Sequence, residues 1–177
     1  MSSASRAGTS RGGVTPGHPV SVLQTEYSLA GRGVEDKILP TCRELGIGFV
    51  ARGPLSRGLL GGQILADEDL ATDDLRRFLP RFEPADLAVN GAIVARLGEV
   101  ALEKGCSTAQ LALAWLVAQG VVPIPGSQTR RDFEENAAAL HVDLTPADLA
   151  RIEAFAPPGA FAGERFRAGL MHLVEDE

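Results

Sequence analysis

Three short stretches of the sequence carry the residues whose types can do chemistry. They cover residues 24–28, 52–62 and 125–136, and each lies at or just after a segment predicted to be a β-strand. In parallel α/β folds ligands bind beyond the carboxyl ends of the strands, so these stretches are expected to meet at one edge of a sheet. Their glycines, guanidinium groups, amides and carboxylates suit a ligand that is both phosphorylated and aromatic.

The second stretch has the composition of a phosphate-binding loop. Its glycines, at positions 53, 58, 61 and 62, would let backbone N–H groups approach a pyrophosphate closely because they carry no side chain. Ser56 and Arg57 add a hydroxyl and a positive charge to the same loop. Glycines in loops are also typical of ordinary turns, and this structural interpretation stays open for Gly61 and Gly62.

The third stretch opens onto the amino end of a predicted helix. Gly126 and Ser127 precede Arg130 and Arg131, so backbone donors, the helix dipole and two guanidinium groups could hold a phosphate monoester. The arginines stand beside acidic residues and can equally form a solvated helix face with i,i+4 ion pairs. Later in the same helix come Glu135 and Asn136, whose carboxylate and amide groups can hydrogen-bond the edge of an adenine.

Other residues that could carry chemistry lack partners at a useful spacing. The sequence has no serine nucleophile elbow, paired-carboxylate pattern or Gly-Lys-Ser/Thr loop. The three histidines, His18, His141 and His172, are predicted to be surface or capping residues. No metal site is predicted. Cys42 falls on the apolar face of a predicted helix and is expected to pack there. For Gln24 and Tyr27, a half-buried structural role and contact with a ligand both stay open.

Alternating strand and helix patterns position the three stretches. A strand over residues 20–29, a helix that ends at Gly46 and a buried strand over residues 47–51 form a βαβ unit, which implies parallel pairing. Residues 53–84 are loop-like and long for a connection. Further elements are predicted in this order: helices over 86–104 and 108–119, a strand over 121–126, a helix from 129 to 140 and a helix from 145.

Composition places the chain in a broad class. The 177 residues, 45% of them hydrophobic, fit one globular domain, and the net charge of -6 argues against nucleic-acid binding. The longest apolar stretch, residues 111–124, is interrupted and too short to cross a membrane. Two cysteines and the absence of an apolar signal core favour a reducing, cytoplasmic compartment. Residues 1–17 are predicted to be disordered, and a phosphate-binding loop there is disfavoured because no strand precedes it.

Three sequence blocks resemble the C-terminal half of an aldo-keto reductase. They are Gln-Thr-Glu-Tyr-Ser-Leu from residue 24, Gly-Pro-Leu-Ser-Arg-Gly-Leu-Leu-Gly-Gly from residue 53, and Pro-Ile-Pro-Gly-Ser from residue 123 with Glu135-Asn136. The resemblance covers about residues 18–149. It implies an α/β fold, a partial (β/α)8 TIM barrel with about the last three β/α units plus C-terminal helices, over residues 18–156, followed by a tail over 157–177. The family reduces aldehydes and ketones by hydride transfer from NADP(H).

The resemblance also implies roles for individual residues. Gln24 matches the residue that bonds the nicotinamide carboxamide, and residues 54–62 match the segment that folds over the pyrophosphate. Ser127 with a neighbouring arginine matches the 2'-phosphate site, and Glu135 with Asn136 matches the adenine site. The cofactor-binding residues expected on this basis are Gln24, Arg52, Gly53, Pro54, Leu55, Ser56, Arg57, Gly58, Gly126, Ser127, Arg131, Glu135 and Asn136.

Two positions depart from the family pattern. Arg52 stands where the family commonly has an aromatic residue that stacks on the nicotinamide. A guanidinium there would place positive charge against a ring that becomes cationic when it is oxidised, which disfavours tight NADP+ binding. Gln128 stands where many relatives have a basic residue, which weakens the preference for NADPH over NADH.

The family's catalytic Tyr, Lys, Asp and His lie on the first four strands, whereas this chain begins, by the match, just before the sixth. Tyr27 is the only tyrosine and lies in the cofactor-side block, and the only lysines, Lys37 and Lys104, fall on predicted helices. No catalytic residue is therefore expected. The sequence predicts a truncated NADP(H)-dependent aldo-keto reductase that starts inside a longer frame, binds NADPH weakly and is inactive alone.

Two other readings stay open. The first is a non-catalytic nucleotide-binding or interaction module, because three open strands would expose sheet edges that self-association could complete. The second is an unrelated α/β domain. A small carbonyl substrate is expected only by family resemblance, and the loop and tail compositions do not indicate which one.

Overall fold

The computed structural model describes residues 19–167 and contains a three-stranded parallel sheet. The strands are β1 (Val22–Glu26), β2 (Gly48–Arg52) and β3 (Val122–Ile124), in the order β1-β2-β3. The helices are α1 (Ile38–Leu45), α2 (Pro84–Glu103), α3 (Thr108–Ala118), α4 (Arg130–Ala138) and α5 (Pro146–Phe155). The expected α/β fold with three parallel strands is confirmed. The predictions for residues 1–18 and 168–177, His18 and His172 among them, lie outside the described residues.

Local signals set most helix ends. Gly46 adopts the left-handed conformation at the end of α1, with φ of 68°, which a glycine reaches without the steric cost of a Cβ. Capping boxes that join a hydroxyl to a side chain three residues on begin three helices: Ser107 with Gln110 at α3, Thr129 with Asp132 at α4, and Thr145 with Asp148 at α5. The predicted starts of these helices are confirmed.

Two predicted boundaries near the first strand are wrong. β1 ends at Glu26 instead of residue 29, because Ser28 and Gly31 bond each other in a tight turn immediately afterwards. α1 begins at Ile38, and the predicted first turn around Glu35 is a separate 3-10 turn, Gly33–Glu35. Pro40 fits at the third position of α1 because the first N–H groups of a helix have no partner inside it.

The long connection after β2 contains short 3-10 segments: Ser56–Gly61, which non-helical backbone at Arg57 and Gly58 interrupts, Asp67–Asp69, Leu75–Phe78 and Pro80–Phe82. Arginines hold these turns together. Arg76 donates to the Asp74 carboxylate and to the Arg57 carbonyl, and Arg77 donates to the carbonyl oxygens of Asp67 and Leu70. Buried apolar side chains beneath the turns form a second, smaller core: Ala30, Leu59, Ile64, Leu70, Phe82 and Leu87.

Within residues 19–167, the helices cover one face of the sheet. Phe49 and Ala51 of β2 lie on that face, and their side chains are 5% and 0% exposed against α1, α2, α3 and α5. The register pairs Gln24 with Val50 and Val50 with Val122, so these three side chains share the opposite face. Among the described residues, no helix is long and apolar enough to cross a membrane.

Candidate functional site

The sheet register brings the three polar stretches to one edge. Glu26 pairs with Arg52, and Arg52 pairs with Ile124, so the last residues of all three strands lie in one row across the sheet. Neighbouring strands are about 4.8 Å apart, so the loops that follow β1, β2 and β3 begin within roughly 10 Å of each other. The geometry that the sequence predicted for these stretches is present.

The loop after β2 is held in a left-handed conformation. Ser56 and Arg57 have φ of 47° and 59°, which side-chain-bearing residues rarely adopt, and Gly58 continues with φ of 90°. The Ser56 hydroxyl lies 2.9 Å from the Ser28 hydroxyl in a buried pair that ties this loop to the turn after β1. Within the loop, the Ser56 N–H donates to the Gly53 carbonyl and the Gly58 N–H donates to Leu55. These backbone donors are therefore already used inside the loop.

Some of the other residues of this loop are buried and anchor it, and others are exposed to solvent. Pro54, Leu59 and Leu60 are buried, whereas Leu55 is half-buried. Arg57 is exposed, and its guanidinium lies 5.2 Å from the centre of the Phe166 ring. Apolar anchors thus hold the loop down while the charge of Arg57 stays at its surface.

A cleft of about 120 Å³ lies between this loop and the end of β1. Four of the residues that line it are arginines, and one is a carboxylate: Arg52, Arg57, Arg81, Arg165 and Glu26. The Glu26 carboxylate lies 2.7 Å from the Arg165 guanidinium, 3.9 Å from that of Arg52 and 4.0 Å from that of Arg81. The cleft lining therefore carries an excess of positive charge.

The pKa of Arg81 responds to the neighbouring charged groups in this cleft. Burial lowers the pKa of Arg81 below its ordinary value, and the positive charges of Arg165 and Arg57 lower it further, against the opposing effect of Glu26. A second anion in the cleft would act in the same direction as Glu26 and favour the charged guanidinium. The arrangement can therefore hold a phosphate oxygen at this edge of the sheet.

Glu26 lies inside the first stretch that the sequence analysis selected but was given no role of its own, and Arg81 and Arg165 were not selected. Arg81 and Arg165 lie far from Glu26 along the chain, in segments without a recognisable motif. The one usable signal was the strand alternation, which puts Glu26 on the same face of β1 as Gln24.

The turn after β3 is ordered by Asn136. Its side-chain amide donates to the Ser127 hydroxyl at 3.0 Å and to the Gly126 carbonyl at 3.4 Å. Gly126, Ser127 and Arg131 are exposed. Arg130 donates to Glu134 at 2.6 Å with 90% of its side chain exposed, so the interpretation as a solvated i,i+4 pair applies to this arginine.

Glu135 faces the amino end of α3. Its carboxylate accepts from the Ser107 hydroxyl at 2.7 Å, and its backbone carbonyl accepts from the Gln110 side chain at 3.0 Å. Glu135 therefore joins α4 to the capping box of α3. Contact of Glu135 and Asn136 with an adenine stays a prediction.

Tyr27 is a core residue instead of the half-buried one that was considered. Its side chain is fully buried, its ring packs edge-on against Phe49 and Trp115, and its hydroxyl donates to Glu35 at 2.6 Å. Burial, followed by the neighbouring Glu35 carboxylate, raises the pKa of Tyr27 above its ordinary value. The hydroxyl is therefore held neutral inside the core.

Gln24 is exposed on the face of the sheet opposite to Tyr27, and Arg52 is half-exposed beside it.

Cys42 is buried, as its place on the apolar face of α1 predicted, and burial raises the pKa of its thiol. Across residues 19–167, no three His, Cys, Asp or Glu side chains lie close enough together to hold a metal ion.

Comparisons with known proteins agree on one family. The sequence profile of the Aldo/keto reductase family matches residues 11–157. A probable aldo-keto reductase of Glycine max is 41% identical over 158 residues, which cover 88% of this chain and 45% of the relative.

Solved structures show the same fold. A glycerol dehydrogenase of Gluconobacter oxydans superposes with a TM-score of 0.71 at 25% identity, over 80% of this chain and 45% of that protein. A thermostable aldo-keto reductase crystallised with the inhibitor epalrestat superposes with a TM-score of 0.58 at 23% identity, over 78% and 41% respectively.

The chain spans less than half the length of these relatives. Both solved relatives are TIM barrels, so the three strands and their helices form part of such a barrel, and the predicted fold class is confirmed. Sequence and structure together show that the chain belongs to the aldo-keto reductase family.

Proposed function

We propose that this chain is the cofactor-holding part of an NADP(H)-dependent aldo-keto reductase and does not itself contain the group that protonates the substrate. Its dinucleotide would lie along the carboxyl edge of the sheet. The observation that carries the proposal is the row of strand ends, which brings an arginine-rich cleft and the Gly126–Ser127 turn to that edge.

The cleft fits a phosphate better than a whole dinucleotide. Its volume of about 120 Å³ corresponds to roughly four water molecules. Arg57 is exposed at the mouth of the cleft and Ser56 lies in its wall, where a guanidinium and a hydroxyl can bond phosphate oxygens. We assign the pyrophosphate to this cleft. The adjoining residues of the loop after β2 would also contact it: Gly53, Pro54, Leu55 and Gly58.

The adenosine end is assigned to the turn after β3. Asn136 holds Ser127 in place, and the exposed Arg131 lies in the first turn of α4, where a phosphate monoester is favoured by the helix amino end. Asp132 already bonds the N–H groups of Thr129 and Gln128 there. The binding of a 2'-phosphate would therefore depend on Arg131 and Ser127.

Bound NADPH would supply a hydride, and the carbonyl oxygen would then need a proton. Tyr27 cannot donate it, because its hydroxyl is buried and bonded to Glu35. The ammonium of Lys104 lies 2.8 Å from Asp148 on the helix side of the sheet. Loss of general-acid assistance slows such reactions by about 10²–10⁴-fold, so the isolated chain is expected to turn over slowly.

The test is a fluorescence titration of the full chain with NADPH. We expect a dissociation constant in the micromolar range or weaker, and at least tenfold weaker binding for Arg57→Gln, because the charge at the cleft is lost. The matched control is Arg130→Gln, which removes an exposed arginine that already bonds Glu134 and should leave the affinity unchanged. Submicromolar affinity, or equal effects of the two substitutions, would overturn the assignment.

A second titration examines the choice of dinucleotide. Arg131→Gln should weaken the binding of NADPH while leaving that of NADH unchanged, because only NADPH carries the 2'-phosphate. Equal weakening of both ligands would show that Arg131 does not contact that group. Oxidation of NADPH with 4-nitrobenzaldehyde should be at least about a hundredfold slower than with an intact reductase.

A further inference from the structure

Three charged side chains stand between two cavities at the carboxyl edge of the sheet. Glu26, Arg81 and Arg165 line the arginine-rich cleft, and they also line a larger cavity of about 610 Å³ between the turn after β1 and residues 158–165. We call these three residues the Glu26 cluster. Their side chains are between 15% and 17% exposed, so water and salt screen their charges less than they screen charges on the surface.

The Glu26 carboxylate is enclosed by two glycines. A Cβ on Gly31 would lie 3.4 Å from its Oε1 atom, and a Cβ on Gly53 would lie 3.7 Å from its Oε2 atom. The first glycine belongs to the turn after β1 and the second to the loop after β2, so backbone lies against the carboxylate on two sides. The carboxylate therefore occupies a defined position between the two loops.

The carboxylate bonds one of three guanidinium groups that surround it. Its distance to Arg165 is 2.7 Å, but Arg81 and Arg52 lie 4.0 Å and 3.9 Å away, which is beyond hydrogen-bond distance. A phosphate presents oxygen atoms in more directions than a carboxylate does. A phosphate in the cleft can therefore bond guanidinium groups that Glu26 attracts by charge but does not reach.

We propose that Glu26 takes the place of the ligand's phosphate when no anion is bound. It keeps Arg81 and Arg165 in the positions that a phosphate uses, and its own negative charge limits how tightly the cleft holds an anion. Glu26 is thus a positioning residue that sets the affinity for the dinucleotide. The inference rests on the proposed function for the identity of the anion, the pyrophosphate of NADP(H), whereas the distances within the cluster do not depend on it.

The Glu26 cluster also joins the cleft to the described tail, residues 157–167. Arg165 belongs to the tail, and Arg81 donates from its Nε atom to the carbonyl oxygen of Gly163 at 3.2 Å. The ion pair between Glu26 and Arg165 therefore holds the tail beside the cleft. An anion bound there would attract Arg165 in the same way. Binding of the anion and docking of the tail should thus favour each other, by the same factor in both directions.

Calorimetric titration of the full chain with NADPH, and separately with inorganic pyrophosphate, tests the effect on affinity. Glu26→Gln removes the negative charge and keeps the length of the side chain and one acceptor oxygen. We expect this variant to bind both ligands about three- to tenfold more tightly than the unaltered chain, because a repulsive charge beside the anion is removed.

Glu103→Gln is the matched control. Glu103 bonds Arg151 at 2.6 Å, so this substitution also removes one ion-paired carboxylate and changes the net charge equally. Glu103 is the last residue of α2 and is exposed, and it does not line the cleft. Both affinities should stay within about twofold of the unaltered chain, because solvent and salt screen a charge in that position.

Cleavage of the tail by chymotrypsin after Phe166 provides a second readout. Glu26→Gln should be cleaved faster than the unaltered chain, because the ion pair with Arg165 is lost. Saturating pyrophosphate should restore the protection in Glu26→Gln, since the anion takes over the attraction of Arg165. In Arg165→Gln the tail should also be cleaved faster, and pyrophosphate should not restore its protection. A side chain with a purely structural role would not be replaced by a free anion.

The outcomes separate this inference from the proposed function. Equal or weaker binding of pyrophosphate by Glu26→Gln, or the same gain in Glu103→Gln, would overturn the role of Glu26. The same follows if pyrophosphate fails to protect the tail of Glu26→Gln, or protects that of Arg165→Gln equally well. If the unaltered chain does not bind NADPH while the pyrophosphate results are as expected, the proposed function is wrong and the role of Glu26 stands.

Discussion

Glu26 organises the arginines at the carboxyl edge of the sheet. Its carboxylate bonds Arg165 directly and lies about 4 Å from the guanidinium groups of Arg52 and Arg81. A carboxylate in this place offsets part of the mutual repulsion of these three guanidinium groups when no ligand is bound, yet it does not neutralise them. One residue can thus maintain a positively charged cleft within a chain whose net charge is -6.

The first residue-scale prediction concerns Tyr27, the only tyrosine in the chain. Burial and Glu35 raise its pKa, so the neutral hydroxyl stabilises the fold at pH values below the ordinary tyrosine pKa of about 10. That contribution is lost as the pH rises through the folded-state value. We expect no tyrosinate absorbance at about pH 11 in the folded chain and full absorbance in urea. Ionisation at the ordinary pKa in the folded chain would contradict the buried hydrogen bond.

The second residue-scale prediction concerns Asp148. The ammonium of Lys104 and the Thr145 hydroxyl and N–H lower the pKa of Asp148, so its stabilisation is present above the unfolded value of about 3.9. It is lost as the pH falls through the lower folded-state value. Asp148→Asn should reduce the free energy of unfolding by about 1–2 kcal/mol at pH 7, and by less at pH values below about 4.

Urea unfolding at several pH values measures this difference. The exposed Asp143, on the segment just before α5, provides the matched control, and Asp143→Asn should leave the free energy of unfolding at pH 7 almost unchanged. A loss for Asp148→Asn that stays constant from neutral to acid pH would show that the charge of Asp148 does not matter.

At the scale of elements, two glycines of α2 have opposite expected effects. A Cβ on Gly91 would lie 2.0 Å from the Leu65 carbonyl oxygen, whereas a Cβ on Gly98 would lie 3.5 Å from its nearest neighbour, the Thr108 hydroxyl. Gly91→Ala should therefore destabilise the chain by about 1–3 kcal/mol, because α2 must move away from the connecting loop. Gly98→Ala should stabilise it by about 0.5–1 kcal/mol through helix propensity.

Chemical denaturation followed by circular dichroism measures both effects in the same helix. Since the substitutions are chemically identical and seven positions apart, each serves as the control for the other. A similar change in the free energy of unfolding for both variants would contradict the close packing of α2 against residue 65.

The elements also show what the sequence can and cannot predict. The capping boxes at Ser107, Thr129 and Thr145 involve partners three residues away, so the local pattern was enough to predict them. The strand ends were predictable because parallel pairing alone brings them together. The bond between Glu26 and Arg165 joins the first strand to the C-terminal tail, and no local pattern indicates it.

Tertiary contacts add roles that residue types do not reveal. The carboxylate of Glu135, predicted to contact an adenine, also accepts a hydrogen bond from Ser107 at the cap of a different helix, and the adenine contact stays a prediction. Tyr27 lies one residue beyond β1, where alternation alone left its burial open, and the packing of Phe49 and Trp115 around it settles the question. In both cases the deciding neighbour lies far away in the sequence.

At the scale of the whole molecule, the described tail closes over the loops of the ligand edge. Phe161 packs against both hydrophobic cores, and Arg165 and Arg167 bond Glu26 and the Phe78 carbonyl. The helix-covered face of the sheet is thereby joined to the loop that follows β2.

Asn90 is the residue through which α2 holds that tail. Its buried side chain donates to the carbonyl oxygens of Arg81 and Ala162 and accepts from the Ala162 N–H, so it joins loop, helix and tail. Asn90→Ala would leave these backbone groups without their partner and should cost about 1–3 kcal/mol of unfolding free energy. Limited proteolysis should then cleave the tail faster, while the neighbouring Val89→Ala, at a half-exposed position, should leave the tail protected. Equal protection of the tail in Asn90→Ala would mean that the apolar contacts of Phe161 suffice to hold it, and that the polar link between the three segments contributes little.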